Sequence, residues 1–299
     1  MTTPPALLIA GHATRDDGAA EALRTLVRVL GERHPEVPVA GGFFGAPGAP
    51  LPVAEAVDEL VARGATHIAA IPLLLAPSGP VAEPLSAALE RAAERHPGLH
   101  YACGAELGPH PRLLDALERR LDEALGAGSR RPEDRARTTV LLVGRGATDP
   151  HANAEVARAA RLLWEGRGFA GVETAFVAQA APDVPAGLDR CRALAAAATG
   201  VAAPQRRIVV APYFLFPGAP FERLCMQTEG WAAAHPDVEV YGAQAIGTEP
   251  EVADVVMERY REIVASGPLP GGAAKGAENT KDADGAARHA STAAGAGDR

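Results

Sequence analysis

Leu7-Leu-Ile-Ala-Gly-His-Ala-Thr-Arg-Asp16 returns, in altered form, as Val140-Leu-Leu-Val-Gly-Arg-Gly-Ala-Thr-Asp149. Each copy is an apolar run ending on Gly, followed by a charged or titratable residue (His12, Arg145) and a small-residue turn that closes on Asp. Short continuous apolar runs of this kind fit strands buried on both faces of a parallel sheet, and Asp is a favoured helix N-cap. The chain therefore describes a buried strand running into a helix twice, and an internal duplication is expected.

The residues after each copy extend that reading. Leu23, Leu26, Val27 and Leu30 recur at helical spacing until His34-Pro35, where proline disfavours further helix. Val37 to Phe44 reads as a second strand, and Val53, Ala56, Val57 and Leu60 mark a helix from Val53 to Arg63 that Gly64 ends. His67 to Leu75 is a third strand, Leu85 to Ala92 the stripe of another helix, and Leu99 to Gly104 a fourth strand. Pro111, at a first helical position, opens a helix with Leu114, Leu117, Leu121 and Leu125 on one side. Gly126 to Arg137 has no apolar period and reads as a linker. The order then repeats: Asp149-Pro150 caps and starts a helix, Val172 to Val177 is strand, Pro185 to Ala198 helix, and Arg207 to Leu215 strand. Matching places lie 133 residues apart at His12 and Arg145, 140 apart at Pro72 and Pro212, and 139 apart at Pro111 and Pro250. Extra residues around Ala198 to Pro204 account for the step.

Strands alternating with helices imply parallel pairing through right-handed crossovers. The expected fold is α/β, with two tandem flavodoxin-like, three-layer halves whose parallel sheets are related by duplication. The boundaries read as 1–126 for the first half, 127–137 for the linker, 138–265 for the second half and 266–299 for a disordered tail without apolar period. Ligands of such sheets bind outside the carboxyl ends of the strands. His12, Arg145 and the proline-flanked loops after both third strands all fall there, so the cleft between the halves is the expected site.

Composition narrows the function. Of 299 residues, 47% are hydrophobic and 22% charged, which suits a globular chain with a real core. The net charge is -8, and lysine occurs only at Lys275 and Lys281, a poor basis for a nucleic-acid partner. Cys103, Cys191 and Cys225 are widely spaced and form no paired motif, so neither a disulfide framework nor a zinc knuckle is indicated. Met1 to Pro5 is too short and uncharged for a signal peptide, and no apolar run approaches the roughly 18 residues of a membrane span. A cytoplasmic protein without membrane partners is expected. The sequence leaves the oligomeric state open.

Among candidate chemical groups, His12 stands out by position. An imidazole at a strand end facing a cleft can ligate a metal or move a proton, or it can merely cap the next helix. Arg15, Arg145 and Arg223 fall at strand ends or in following loops, where guanidinium groups can clamp carboxylates. His110 reads as a helix cap. His34, His96 and His235, each before proline at a helix end, read as structural. Neither Gly11-His12-Ala13 nor Gly144-Arg145-Gly146 continues into a phosphate-binding glycine loop, and the order of residues around His12 is wrong for a histidine phosphatase.

The ordered set of motifs resembles the class II chelatases that insert cobalt or iron into sirohydrochlorin, in their long form with two fused chelatase-like halves. The resemblance rests on Leu8 to Asp16, Ile71 to Leu75, Leu107 to Pro111, Gly144 to Pro150 with Asn153, Leu162 to Gly168, Gly187 to Cys191 and Pro212 to Phe216. It covers about Ala6 to Val264. It implies insertion of a divalent metal into a tetrapyrrole, in cobalamin or siroheme synthesis, with His12 as metal ligand and proton acceptor and Arg15 and Arg145 holding substrate carboxylates. The metal, cobalt or iron, is a substrate, and no organic cofactor is implied. The chain departs from the family at Pro80, where a second histidine normally stands. Proline cannot ligate, and Glu83 is the nearest carboxylate that could serve as a further metal ligand. A diverged, non-catalytic relative that binds a tetrapyrrole or metal is the alternative.

Overall fold

A computed structural model describes residues 4–12, 17–45, 49–76, 84–126, 132–197 and 206–267. The first copy is built from β1 (Ala6–His12), α1 (Asp17–Arg33), β2 (Val39–Phe44), α2 (Val53–Ala62), β3 (His67–Pro72), α3 (Leu85–Arg95), β4 (His100–Cys103) and α4 (Pro111–Leu125). A single helical turn, α5 (Pro132–Arg135), stands within the stretch read as linker. The second copy is β5 (Thr138–Gly144), α6 (Pro150–Trp164), β6 (Gly171–Phe176), α7 (Val184–Ala197), β7 (Arg206–Pro212), α8 (Ala219–Ala234), β8 (Val238–Gly242) and α9 (Pro250–Ala265). The strands form two separate parallel sheets, ordered β2-β1-β3-β4 and β6-β5-β7-β8.

The duplication is visible in the register. Gly11 pairs with Phe43 as Gly144 pairs with Phe176, Ala10 with Pro72 as Val143 with Pro212, and Ala70 with Cys103 as Val210 with Gly242. These are the offsets read from the sequence, carried into the pairing pattern. Strands three and seven end earlier than expected, at Pro72 and Pro212, where proline has no N–H for a ladder. The chain stays in line for one more residue, since the amides of Leu73 and Tyr213 donate to Ala10 and Val143 at 2.8 Å each. Residues 268–299, which hold most of the expected tail, lie outside the described residues.

Alternation along each buried strand sorts its side chains between two apolar layers. Leu8 and Ala10 join Val57, Leu60 and Leu89 on the outer face of the first sheet, and Leu141 and Val143 join Leu188, Cys191 and Trp231 on the outer face of the second. Leu7, Ile9, Val140 and Leu142 face one continuous core shared by the two halves. That core is closed by an exchange of helices: α4 packs on β7 and β8 of the second sheet, and α9 packs on β3 of the first and against α1. Tyr260 on α9 donates its hydroxyl to Pro5 of the first half at 2.7 Å, and Arg259 donates to the Glu106 carbonyl at 3.1 Å.

Polar contacts reinforce the exchange. Arg119 on α4 grips Glu251 on α9 with two bonds of 2.7 and 2.5 Å and also reaches Glu249. Those bonds from Arg119 hold the Glu251 carboxyl below its ordinary value of 4.5. A carboxylate of lowered pKa contributes stability above its unfolded-state value, and the contribution is lost as pH falls through the folded value. Glu251→Gln is therefore expected to lower the unfolding free energy measured in urea at pH 7, by less than about 1 kcal/mol for so solvated a pair. The gap should narrow below pH 4.5. An equal gap at pH 7 and pH 3 would show that this ion pair does not tie the halves.

Candidate active site

The carboxyl ends of both sheets open into one cleft of about 250 Å³, lined from equivalent places in each half: Gly11 and Gly144, His12 and Arg145, Leu74 and Phe214. Space for it is made at the ends of β1 and β5. A Cβ on Gly11 would lie 2.6 Å from the Phe43 ring, and one on Gly144 would lie 2.9 Å from Val156. The following residue, His12 or Arg145, lines the cleft in each half. His12 meets Phe44 edge to face, with ring centroids 5.7 Å apart.

The two copied positions converge. Nη1 of Arg145 stands 3.4 Å from Nδ1 of His12. Arginine carries only donors, so this contact is a hydrogen bond when Nδ1 of His12 is unprotonated, with the ring proton on Nε2. The cleft thus sets the His12 imidazole beside a fixed cation. Partial desolvation lowers the Arg145 pKa from the ordinary guanidinium value, but an arginine remains charged. Among the described residues no carboxylate forms an ion pair with it, so its charge is available to an anionic ligand.

The loop that carries Arg145 is held from several sides. The Asn153 side chain accepts from the Ala147 amide at 2.9 Å and donates to the Ala147 carbonyl at 2.8 Å. Asp149 caps α6 by accepting from the His151 amide, and the Arg145 carbonyl accepts from Ala178. Gly146 has φ +85°, and a Cβ there would lie 1.7 Å from the Ala178 carbonyl oxygen. Gly146→Ala is expected to displace this loop and lower stability by more than about 1 kcal/mol, because alanine is incompatible with a positive φ. An unchanged melting temperature, with an unchanged Arg145 environment by NMR, would show that the loop is not held this way. Sequence reasoning gave Asn153 no role. The signal was its place in the repeat, where the first copy has the buried Ala20.

The remaining expectations sort clearly. His12 and Arg145 meet in the cleft, whereas Arg15, Pro80 and Glu83 lie outside the described residues. Arg223 is corrected: it is an exposed residue inside α8, because that helix begins at Ala219, directly after the Pro-Gly turn. His110 caps α4, its Nδ1 accepting from the Arg112 amide at 3.3 Å. His96 bonds Asp58 at 2.6 Å and His235 stacks on Trp231, both far from the cleft in role. Among the described residues no group of three or more His, Cys, Asp or Glu is placed to hold a metal ion. No helix among them is long and apolar enough to cross a membrane.

Fold and site define a class of protein: tandem α/β halves, related by duplication, that frame a ligand cleft between the carboxyl ends of two parallel sheets. Within it, the chain belongs to the CbiX family, whose model matches residues 6–124 and 139–263. It is 32% identical over 210 residues to the sirohydrochlorin cobaltochelatase of Priestia megaterium, an alignment covering 70% of this chain and 65% of that protein. It is 26% identical over 261 residues to the sirohydrochlorin ferrochelatase of Bacillus subtilis, covering 87% and 92%. Among solved structures, SirB from Bacillus subtilis with Fe3+ superimposes with a TM-score of 0.71 at 24% identity, covering 88% of this chain and 96% of that one. SirB from Bacillus subtilis subspecies spizizenii in complex with cobalt gives 0.67 at 22% identity, with the same coverage. The structural likeness shows the fold.

Proposed function

We propose that this protein is a sirohydrochlorin chelatase that inserts a divalent metal, cobalt or iron, into the macrocycle. Membership of the CbiX family and likeness to curated cobalto- and ferrochelatases support the reading. The observation that carries it is the His12–Arg145 pair at equivalent strand ends of the shared cleft.

The chemistry asked of the site is an exchange of one metal dication for two pyrrole protons, with no change of oxidation state. A neutral imidazole can ligate the incoming ion, replacing part of its hydration shell, and can accept one of the two protons as the ion passes to the macrocycle, the other leaving to water. The carboxylates of sirohydrochlorin suit Arg145 and Arg15 as clamps. When Arg145 turns to a carboxylate, its donor no longer engages Nδ1 of His12. Glu83 is assigned as the further metal ligand in place of the histidine that Pro80 lacks. The metal is a substrate, no organic cofactor takes part, and the enzyme works in the cytoplasm. The likeness to named chelatases does not favour the non-catalytic alternative.

The test is metal insertion under anaerobic conditions, followed by the absorbance change of metal-free sirohydrochlorin with Co2+ or Fe2+. Insertion well above the rate of metal and tetrapyrrole alone is expected. Tetrapyrrole binding without acceleration by either metal would replace the enzyme with a carrier.

A further inference from the structure

The base of the first sheet, at the opposite end of the strands from the cleft, carries a second group of metal-ligating side chains. His67 and His100 are register partners at the amino-terminal ends of β3 and β4. Their rings stack with centroids 4.9 Å apart and planes inclined by 10°. His67 is five residues before the end of its strand, so at roughly 3.3 Å per residue the pair is on the order of 16 Å from the cleft.

The duplication supplies an internal control. At the matching register place in the second sheet, Arg207 pairs with Glu239 through an ion pair of 3.3 Å. One copy therefore joins its third and fourth strands with opposite charges, and the other sets two imidazoles face to face. Protonated, two imidazolium groups directly opposite each other repel. Neutral, they stack and present two good nitrogen donors side by side. A shared cation would engage both.

We propose that His67 and His100 form a second, exchangeable site for a late first-row divalent cation such as Co2+, Ni2+ or Zn2+. Two details support it. Thr66 Oγ1 lies 3.0 Å from Nδ1 of His67, an outer-shell hydrogen bond of the kind that orients a ligating imidazole and leaves Nε2 for the metal. Nδ1 of His100 is buried and has no hydrogen-bond partner among the described residues. A buried polar atom left in that state is costly, and ligation by a cation resolves it. The rings must turn from parallel stacking to aim both lone pairs at one ion, and water fills the remaining positions. Two protein donors make a site that exchanges its ion readily. Imidazole donors select cobalt, nickel and zinc over magnesium and calcium.

The decisive experiment titrates the metal-free full chain with Co2+ and Zn2+ at pH 7.5, reading stoichiometry by calorimetry and imidazole signals by long-range 1H–15N NMR. The His67 and His100 signals should broaden with Co2+ and shift with Zn2+, including in His12→Ala, where the cleft site is removed. The double variant His67→Arg, His100→Glu recreates the ion pair of the second sheet and should retain the wild-type melting temperature. Its affinity at this site should fall at least tenfold. His100→Ala should do the same. Undisturbed imidazole signals in the wild type, or unchanged stoichiometry in the folded double variant, would overturn the proposal. So would complete loss of metal binding in His12→Ala, because it would assign all bound metal to the cleft.

Discussion

His12→Ala is expected to lower the rate of cobalt and iron insertion into sirohydrochlorin by at least about 100-fold, the scale on which a positioned proton acceptor contributes. Loss of a metal ligand at the same atom adds to that effect. The fold should survive, because His12 is the last residue of β1 and faces the cleft, while Leu7, Leu8, Ile9 and Ala10 supply the buried part of the strand. Sirohydrochlorin binding, read by fluorescence quenching without metal, should be nearly unchanged, since Arg145 still presents its charge. A variant that inserts both metals at the wild-type rate would remove His12 from the mechanism. A variant that loses tetrapyrrole binding along with activity would instead make His12 a substrate contact.

The parts of this protein that could be read in the sequence are those fixed by local chemistry. Continuous apolar runs gave β1 and β5, proline and glycine gave the breaks, and the offsets between the copies reappear in the strand register. The Asp149 cap and the left-handed Gly64, with φ +90°, also stand where their residue types require. What the sequence hid is what depends on partners. Leu114, Leu117, Leu121 and Leu125 announce that α4 buries one face, but the same stripe fits either sheet. The exchange of α4 and α9 is therefore invisible in periodicity. The same limit applies to the site, where spacing aligned His12 with Arg145 but could not show that the two side chains meet. Asn153 has an ordinary helical position, and its clasp on Ala147 depends on how a loop folds back. Arg223 was misplaced because a helix that starts on Ala219 offers little apolar period to mark it.

The exchanged helices lead to the second large effect: residues 4–126 expressed alone should not unfold cooperatively as a monomer. In the intact chain, α9 covers the first sheet and buries Val252, Ala253, Val255, Val256, Met257, Tyr260 and Ile263. Burial of a large apolar side chain is worth about 1.5–3 kcal/mol. Loss of this set removes on the order of 10 kcal/mol, comparable with the entire stability of a typical domain, about 5–15 kcal/mol. The isolated half also keeps α4, whose leucines have lost the second sheet on which they pack. The stretches 1–126 and 138–265 are accordingly proposed as repeats in sequence that fold as one unit. Circular dichroism on heating should show a broad, noncooperative change for residues 4–126. Adding the separately made segment 132–267 should restore a sharp transition and a one-to-one complex by light scattering. A folded monomer of residues 4–126 with a sharp transition of its own would mean that α4 can close back on its own sheet, and that the exchange is not what stabilises the first half.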